Sequence, residues 1–277
     1  MPGSIGDLFS VRDRVAVITG GAGLFGTKHA EILAEAGAAP VLIDLAVADP
    51  VARATEISQK FDVPALGLVG DITDLQQVEK IRNVILDRFG RIDVLINNAA
   101  NNPKMENLGG KNFSRLENFP VALWEADLRV GLMGAFICSR VFGPEMASRG
   151  KGVILNVASD LAIIAPDQRL YRQENLSESQ QPVKPVTYSV VKAGLVGLTR
   201  YLATYWHESG VRANAISPGG IYNNQPDDFV KRLSQLIPLG RMAHKDEYKG
   251  AILFLCSDAS SYITGANLVA DGGRSCW

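Results

Sequence analysis

Val15-Ala16-Val17-Ile18-Thr19-Gly20-Gly21-Ala22-Gly23-Leu24-Phe25-Gly26 decides the fold. Four apolar residues, mostly β-branched, come first, and such a run suits a strand buried on both faces. A glycine-rich turn follows without a polar spacer. Thr27 to Ala36 then sets small, apolar and charged side chains at helical spacing, and Gly37 stops the segment. Pro40-Val41-Leu42-Ile43 reads as a second buried strand, with Asp44 at its carboxyl end.

Gly21, Gly23 and Gly26 form G-x-G-x-x-G in the context that gives it meaning. It follows a strand, opens a helix and precedes an acid by about 20 residues. Gly21 is expected to allow the tight turn, Gly23 to let a pyrophosphate near the backbone and Gly26 to let helix and strand pack closely, with Gly20, Gly23 and Gly26 expected to bind the cofactor. The helix N-terminus offers free N–H groups and partial positive charge to phosphates, and Leu24 and Phe25 just before it are expected at the cofactor. Asp44 can accept hydrogen bonds from both ribose hydroxyls of an adenosine and would repel a 2′-phosphate. At ~4 Å and intermediate dielectric, that repulsion costs on the order of several kcal/mol. No Arg or Lys occurs in the glycine turn or between Asp44 and Pro50, so the cofactor expected is NAD rather than NADP.

The chain of 277 residues is long enough for one large α/β domain. Its 47% hydrophobic and 21% charged residues match an ordinary globular protein. A net charge of −1 argues against nucleic acid or an anionic membrane as partner. Cys138, Cys256 and Cys276 are odd in number and lack metal-type spacing, which fits a reducing compartment. His29, His207 and His244 are scattered, so no metal is expected. Met1 to Asp7 lacks a basic, apolar leader, and no apolar run nears the ~18 residues of a membrane span, so a cytoplasmic protein is expected.

Strand and helix then alternate along the chain. Strands are expected at 65–69, 94–96, 153–157, 212–216 and 267–270. Helices are expected at 74–88, 123–148, 188–208 and 250–256. Repeated βα units predict one Rossmann-type domain over 1–277, a doubly wound parallel sheet with helices on both faces. Right-handed crossovers bring every strand's carboxyl end to one crevice, where ligands bind. Residues 1–12 read as a loose arm. Two loops, Asn101–Val121 and Asp160–Pro185, are long, and long loops at that edge are usually functional.

Tyr188 and Lys192 stand at i and i+4 on one helical face. A free phenol titrates near ~10, and a nearby lysine ammonium, with the positive nicotinamide of an oxidised cofactor, would favour the phenolate and lower that value. Such a phenol can take a proton from an alcohol as hydride leaves the carbon, or return it in reduction. Ser159, just past the fifth strand, can donate to the substrate oxygen and orient it.

These features occur in an order that resembles the short-chain dehydrogenase/reductase superfamily, compact single-domain type, over essentially the whole chain. The motifs are Thr19–Gly26, Asp71, Asn97-Asn98-Ala99, Ser159, Tyr188/Lys192, Pro218-Gly219 and Asp271-Gly272-Gly273. The resemblance implies Tyr188 as acid/base, Lys192 lowering its pKa and binding the nicotinamide ribose, and Ser159 positioning the carbonyl. It implies Asn97 and the Asn98-Ala99 turn holding the adenosine side and the central strand, Ala100 at the cofactor beside them, Asp71 and Ile72 flanking the adenine, and Pro218, Gly219 and Ile221 bordering the nicotinamide. Asn97–Lys104, Ser217–Gly220 and Gly272–Trp277 are also similar to oxidoreductases of bacterial flagellin-modification and nonulosonic-acid pathways.

Three departures stand out. The glycine spacing, with Leu24 where the compact type usually has glycine, resembles the sugar-nucleotide epimerase and dehydratase branch. The asparagine that holds a proton-relay water in the family aligns with Gly131. Extra residues between Ser159 and Tyr188, about 165 to 185, should loop out near the substrate.

The expected activity is NAD-dependent interconversion of a secondary alcohol and a ketone on a polar, sugar-derived substrate. The polarity rests on Asn101, Asn102, Lys104, Asn107, Lys111, Arg115, Tyr222, Asn223, Asn224 and Gln225 around the mouth. Lys104 and Tyr222 join Ser159 and Tyr188 as candidate substrate residues, and Lys104, Lys111 or Arg115 could meet a phosphate. Alternatives are an epimerase or dehydratase that retains NAD, and a non-catalytic dinucleotide sensor. Small residues on the two long helices, Gly131, Gly134, Ala135, Gly194 and Gly197, suggest a homodimer or homotetramer.

Overall fold

A computed structural model describes residues 4–101 and 114–277. The chain runs through helix α1 (Ile5–Phe9), strand β1 (Val15–Thr19), α2 (Leu24–Glu35), β2 (Ala39–Asp44), α3 (Pro50–Phe61), β3 (Leu66–Val69) and α4 (Leu75–Phe89). It continues through β4 (Val94–Asn97), α5 (Val121–Leu128), α6 (Gly134–Ser148), β5 (Gly152–Val157), α7 (Val186–Tyr205), β6 (Val211–Pro218), α8 (Asp227–Ser234), α9 (Lys249–Cys256) and β7 (Asn267–Ala270). The strands form one parallel sheet in the order β3-β2-β1-β4-β5-β6-β7. The order reverses beside β1, and the crevice past the carboxyl ends there is the ligand-binding position of such sheets.

Alternation along the strands builds two cores. Val15, Val17, Val41, Ile43, Leu95 and Ile154 face one side, against Ile81 and Ile85 of α4 and Phe142 and Met146 of α6. Ala16, Ile18, Leu42, Ile96 and Leu155 face the other, against Leu33 of α2, Ile57 of α3 and Ile252 and Leu255 of α9. Both faces of the central strands are therefore dry, which is why their sequences read as unbroken apolar runs.

The glycine turn differs in detail from its sequence reading. The left-handed residue is Gly20, at φ 61°. Gly21 serves packing, since a Cβ there would lie 2.9 Å from Leu42 Cα. At Gly26 a Cβ would meet the Gly20 carbonyl at 2.1 Å. Helix α2 starts at Leu24 because the turn itself enters the helix there.

Other boundaries moved for local reasons. The N-terminal arm contains α1, capped by Ser4, whose side chain accepts from Asp7 N–H. Helix α3 is unforeseen; its signal is Asp49-Pro50, in which Asp49 accepts from Ala52 N–H and Pro50 opens the helix. Helix α8 is also unforeseen. The single long helix expected from residue 123 is two, joined by a π-helical turn at Arg129–Met133. The small residues on these helices are largely used within the chain: added Cβ atoms would contact Val191 at Gly131, Ile72 at Gly134 and Leu132 at Gly194. Gly197 alone of that set faces open space, while Ala135 is buried.

Residues 160–185 form a frame rather than a simple loop-out. Gln181 Nε2 donates to the carbonyls of Gln173 and Leu176 at 3.0 and 2.8 Å. Arg232 of α8 donates to the Arg172 carbonyl at 2.9 Å, and Leu170 packs with Leu233, Ile237 and Met242.

Gly26→Ala should force the turn off the helix. We expect a loss of about 1–3 kcal/mol, read as a lower urea midpoint at unchanged slope; an unchanged midpoint would contradict this packing.

Candidate active site

A cleft of about 690 Å³ opens along the carboxyl edge of the sheet. One end is built by the glycine turn and β2. Gly20, Gly23, Leu24 and Phe25 line it, while Gly26 lies beneath the turn. Gly23 caps α2 without a side chain, and the first turn carries no acid. The first amides of α2 thus point out uncapped, as an anion cradle requires. Asp44 closes this end, held by N–H groups of Ala22 (3.1 Å) and Leu45 (2.9 Å). Asp71, Ile72, Asn98, Ala99 and Ala100 form the adjoining wall.

Thr19 ties β1 to β4 at this edge, accepting from Asn98 N–H and Ala99 N–H at 3.1 Å each. The Asn98 amide donates to the carbonyls of Thr19 and Gly20 at 3.0 and 3.1 Å. Asn97 points the other way. It donates to Asn156 Oδ1 at 2.8 Å and Ser139 Oγ at 3.2 Å, and Asn156 donates to Thr199 at 2.8 Å. Its part is to lock β4 and β5 to α6 and α7 rather than to wall the adenosine side; strand alternation sends neighbouring residues to opposite faces.

The other end holds Ser159, Tyr188 and Lys192, with Pro218, Gly219 and Ile221 across the cleft. Lys192 is buried and donates to the Val157 carbonyl at 2.7 Å. Burial, with Lys184 nearby, pushes its pKa down to about 8. Its ammonium stands 5.9 Å from the Tyr188 ring centroid. Without the cofactor, the chain's own groups leave the Tyr188 phenol raised: desolvation dominates, the Ser159 hydrogen bond opposes it and the Asp160 carboxylate adds to it.

Asp160 was not foreseen. It is buried and accepts from Ser159 Oγ and Leu161 N–H at 2.8 Å each. Its second oxygen pairs with Arg274 at 2.7 Å in a buried ion pair. Asp271 shapes the turn that delivers Arg274, accepting from Gly273 N–H (2.9 Å) and Ser275 N–H (2.8 Å). The turn after β7 thereby holds the residue next to Ser159.

Behind the phenol lies a recess of about 60 Å³ that reaches Gly131. Val191 fills the space a side chain at Gly131 would need, at 2.4 Å from an added Cβ. Asp127 borders the recess, accepting from Thr187 Oγ1 at 2.5 Å and Asn101 Nδ2 at 3.0 Å. The recess exceeds the ~10–15 Å³ one water needs.

The remaining candidates fall elsewhere. Tyr222 is exposed and outside the cleft wall, while its neighbour Gln225 lines it. Arg115 is engaged, donating to the Glu178 carbonyl at 2.7 Å and pairing with Glu117 at 3.0 Å. Lys104, with Asn102, Asn107 and Lys111, lies outside the described residues. Among the described residues no helix is long and apolar enough to cross a membrane.

A parallel sheet with a glycine cradle, a strand-end acid and a Ser/Tyr/Lys cluster on one cleft defines a dinucleotide-dependent oxidoreductase. The chain belongs to the short chain dehydrogenase family, whose model matches residues 14–170; the Enoyl-(Acyl carrier protein) reductase model matches 175–275. It is 33% identical over 270 residues to the NAD-dependent glycerol dehydrogenase of Listeria innocua, covering 96% of this chain and 95% of that one. It is 35% identical over 275 residues to the cis-4-hydroxycyclohexanecarboxylate dehydrogenase of Sinomonas cyclohexanicum, covering 97% and 98%. A gluconate 5-dehydrogenase from Burkholderia cenocepacia, solved with NADP and tartrate, superposes with a TM-score of 0.86 at 28% identity, covering 99% of this chain and 100% of that one.

Removing the cation that neutralises Asp160 would leave a buried charge. Arg274→Met should cost about 3–5 kcal/mol in chemical denaturation; a loss below ~1 kcal/mol would contradict the pairing.

Proposed function

We propose that this protein is an NAD-dependent dehydrogenase that interconverts a secondary alcohol and a ketone on a polar, polyol-like substrate. One observation carries the reading: Asp44 and the Ser159/Tyr188/Lys192 cluster line opposite ends of the same cleft. The relatives that oxidise glycerol and a hydroxycyclohexane acid support the substrate class.

NAD supplies the hydride acceptor when bound. Asp44 would hold the adenosine ribose, and its carboxylate disfavours a 2′-phosphate. Among the described residues of the wall, the cations are Lys184, Lys192 and Arg274, at the end that holds Tyr188. None neighbours Asp44 to rescue such a phosphate. Lys192, anchored on Val157, presents its ammonium toward the nicotinamide ribose. Ser159, whose one hydroxyl proton goes to Asp160 in the free chain, would turn that proton to the substrate oxygen on binding, while Arg274 keeps the neighbouring Asp160 carboxylate neutralised. Tyr188 takes the hydroxyl proton as hydride departs, and returns it in the reverse direction.

The chain is proposed to work in the cytoplasm as a homo-oligomer. The exposed apolar strip of Val190, Tyr201 and Tyr205 on α7 supports association. A monomeric scattering mass would contradict it.

Two measurements test the chemistry. Following reduced cofactor with a polyol panel, NAD should exceed NADP at least about tenfold in kcat/KM, a margin of ~1.4 kcal/mol, and Asp44→Ala should narrow that gap; a preference for NADP would overturn the cofactor assignment. Tyr188 must be ionised to take a proton and neutral to give one, so oxidation should quicken and reduction slow as pH rises. Tyr188→Phe should abolish turnover while NAD still binds by calorimetry, and full activity in that variant would refute the assigned role.

A further inference from the structure

Lys184 sits four residues before Tyr188, and its ammonium lies 3.8 Å from the Tyr188 ring centroid. It lines both the main cleft and the recess behind the phenol. Its place is fixed by the frame around it. The Lys184 N–H donates to Gln168 Oε1 at 2.8 Å, and the Val183 N–H donates to Ser114 Oγ at 3.0 Å. Pro182 and Pro185 flank it and restrict the backbone further.

The other cations of this end are committed. Lys192 donates to Val157, and Arg274 pairs with Asp160. Asp160, the carboxylate that acts on Lys184 electrostatically, spends its oxygens on Arg274, Ser159 and Leu161. Asp127, also on the recess, is engaged by Thr187 and Asn101. Among the described residues no carboxylate stands within 4.0 Å of Lys184 to form an ion pair. Desolvation brings its pKa down to about 8, so it is charged at neutral pH. Holding a half-buried charge without an anion is costly unless a ligand supplies one.

We propose that Lys184 is the anion-binding residue of the substrate site, and that the substrate is a hydroxylated compound bearing a carboxylate or phosphate near the carbon that is oxidised. This rests on the dehydrogenase reading above and narrows its substrate class. The ammonium pairs with the anion while Tyr188 and Ser159 engage the reacting oxygen, which fixes the chain of the substrate at two points.

The test compares kcat/KM for D-sorbitol, D-gluconate and D-sorbitol 6-phosphate with NAD. At least one anionic member should exceed sorbitol about tenfold or more, as a hydrogen-bonded charge pair implies, and which one does so separates carboxylate from phosphate. Lys184→Met should collapse that ratio, and Lys184→Arg should largely restore it. The ratio should also fall as pH rises through about 8, because Lys184 loses its charge there, while effects of Lys192 and Tyr188 on the chemistry cancel between substrates. Equal turnover of neutral and anionic members, or a Lys184→Met loss shared equally by all three, overturns the anion site and leaves the dehydrogenase reading intact. No turnover of any member, with NAD binding preserved, overturns the polyol reading and this one together.

Discussion

One hydrogen bond sets the geometry of the site: the buried Lys192 ammonium donating to the Val157 carbonyl at 2.7 Å. It ties α7 to the carboxyl end of β5. With that point fixed, helical geometry places Tyr188 one turn earlier, over the crevice, and the chain just past β5 places Ser159 beside it. The buried amide ladder of Asn97, Asn156 and Thr199 fixes the same helix to β4 and β5 farther down. The register of α7 against the sheet is thus held at several levels, all of them dry. A polar bond made away from water resists slippage, because breaking it leaves an unpaired group.

Charge is distributed along the cleft with a purpose. One end carries Asp44, held by two backbone N–H groups, with Asp71 on the adjoining wall. The other end gathers Lys184, Lys192 and Arg274 about Asp160, with Asp127 on the recess behind it. That imbalance favours an anionic ligand group at the substrate end and a neutral ribose at the other. Arg274 takes part from the turn after β7, so that turn is a structural element of the site.

The signals confined to short windows were legible in the sequence. The glycine turn, Asp44, and the Tyr188/Lys192 pair need only local spacing to be recognised, and alternating apolar runs gave the parallel sheet. What spacing could not show were contacts across the chain. Asp160 and Arg274 are 114 residues apart, and only folding brings them together. Lys184 stood one helical turn from Tyr188 in plain view, but nothing in a proline-flanked loop marks an ammonium as lacking an anion. Gly131, in the π-helical turn, likewise meets Val191 from far along the chain, which occupies the space a side chain would need. Asn97 holds the central strand as its motif implies, through Asn156 and Ser139, but four consecutive polar and small residues hide which of them turn toward the cleft.

The direction of the Tyr188 shift shows what the polypeptide contributes and what it leaves to its ligand. Burial holds the phenol neutral, and Ser159 offsets this in part. A positive ring arriving beside it would tip the balance toward ionisation only in the assembled complex. The most direct test is a crystal structure of the protein with NAD. The account predicts the adenosine ribose hydroxyls on Asp44, the diphosphate at the uncapped start of α2, and the nicotinamide between Ile221 and the Tyr188/Lys192 pair. A dinucleotide bound in reverse, or with its nicotinamide remote from Tyr188, would contradict it.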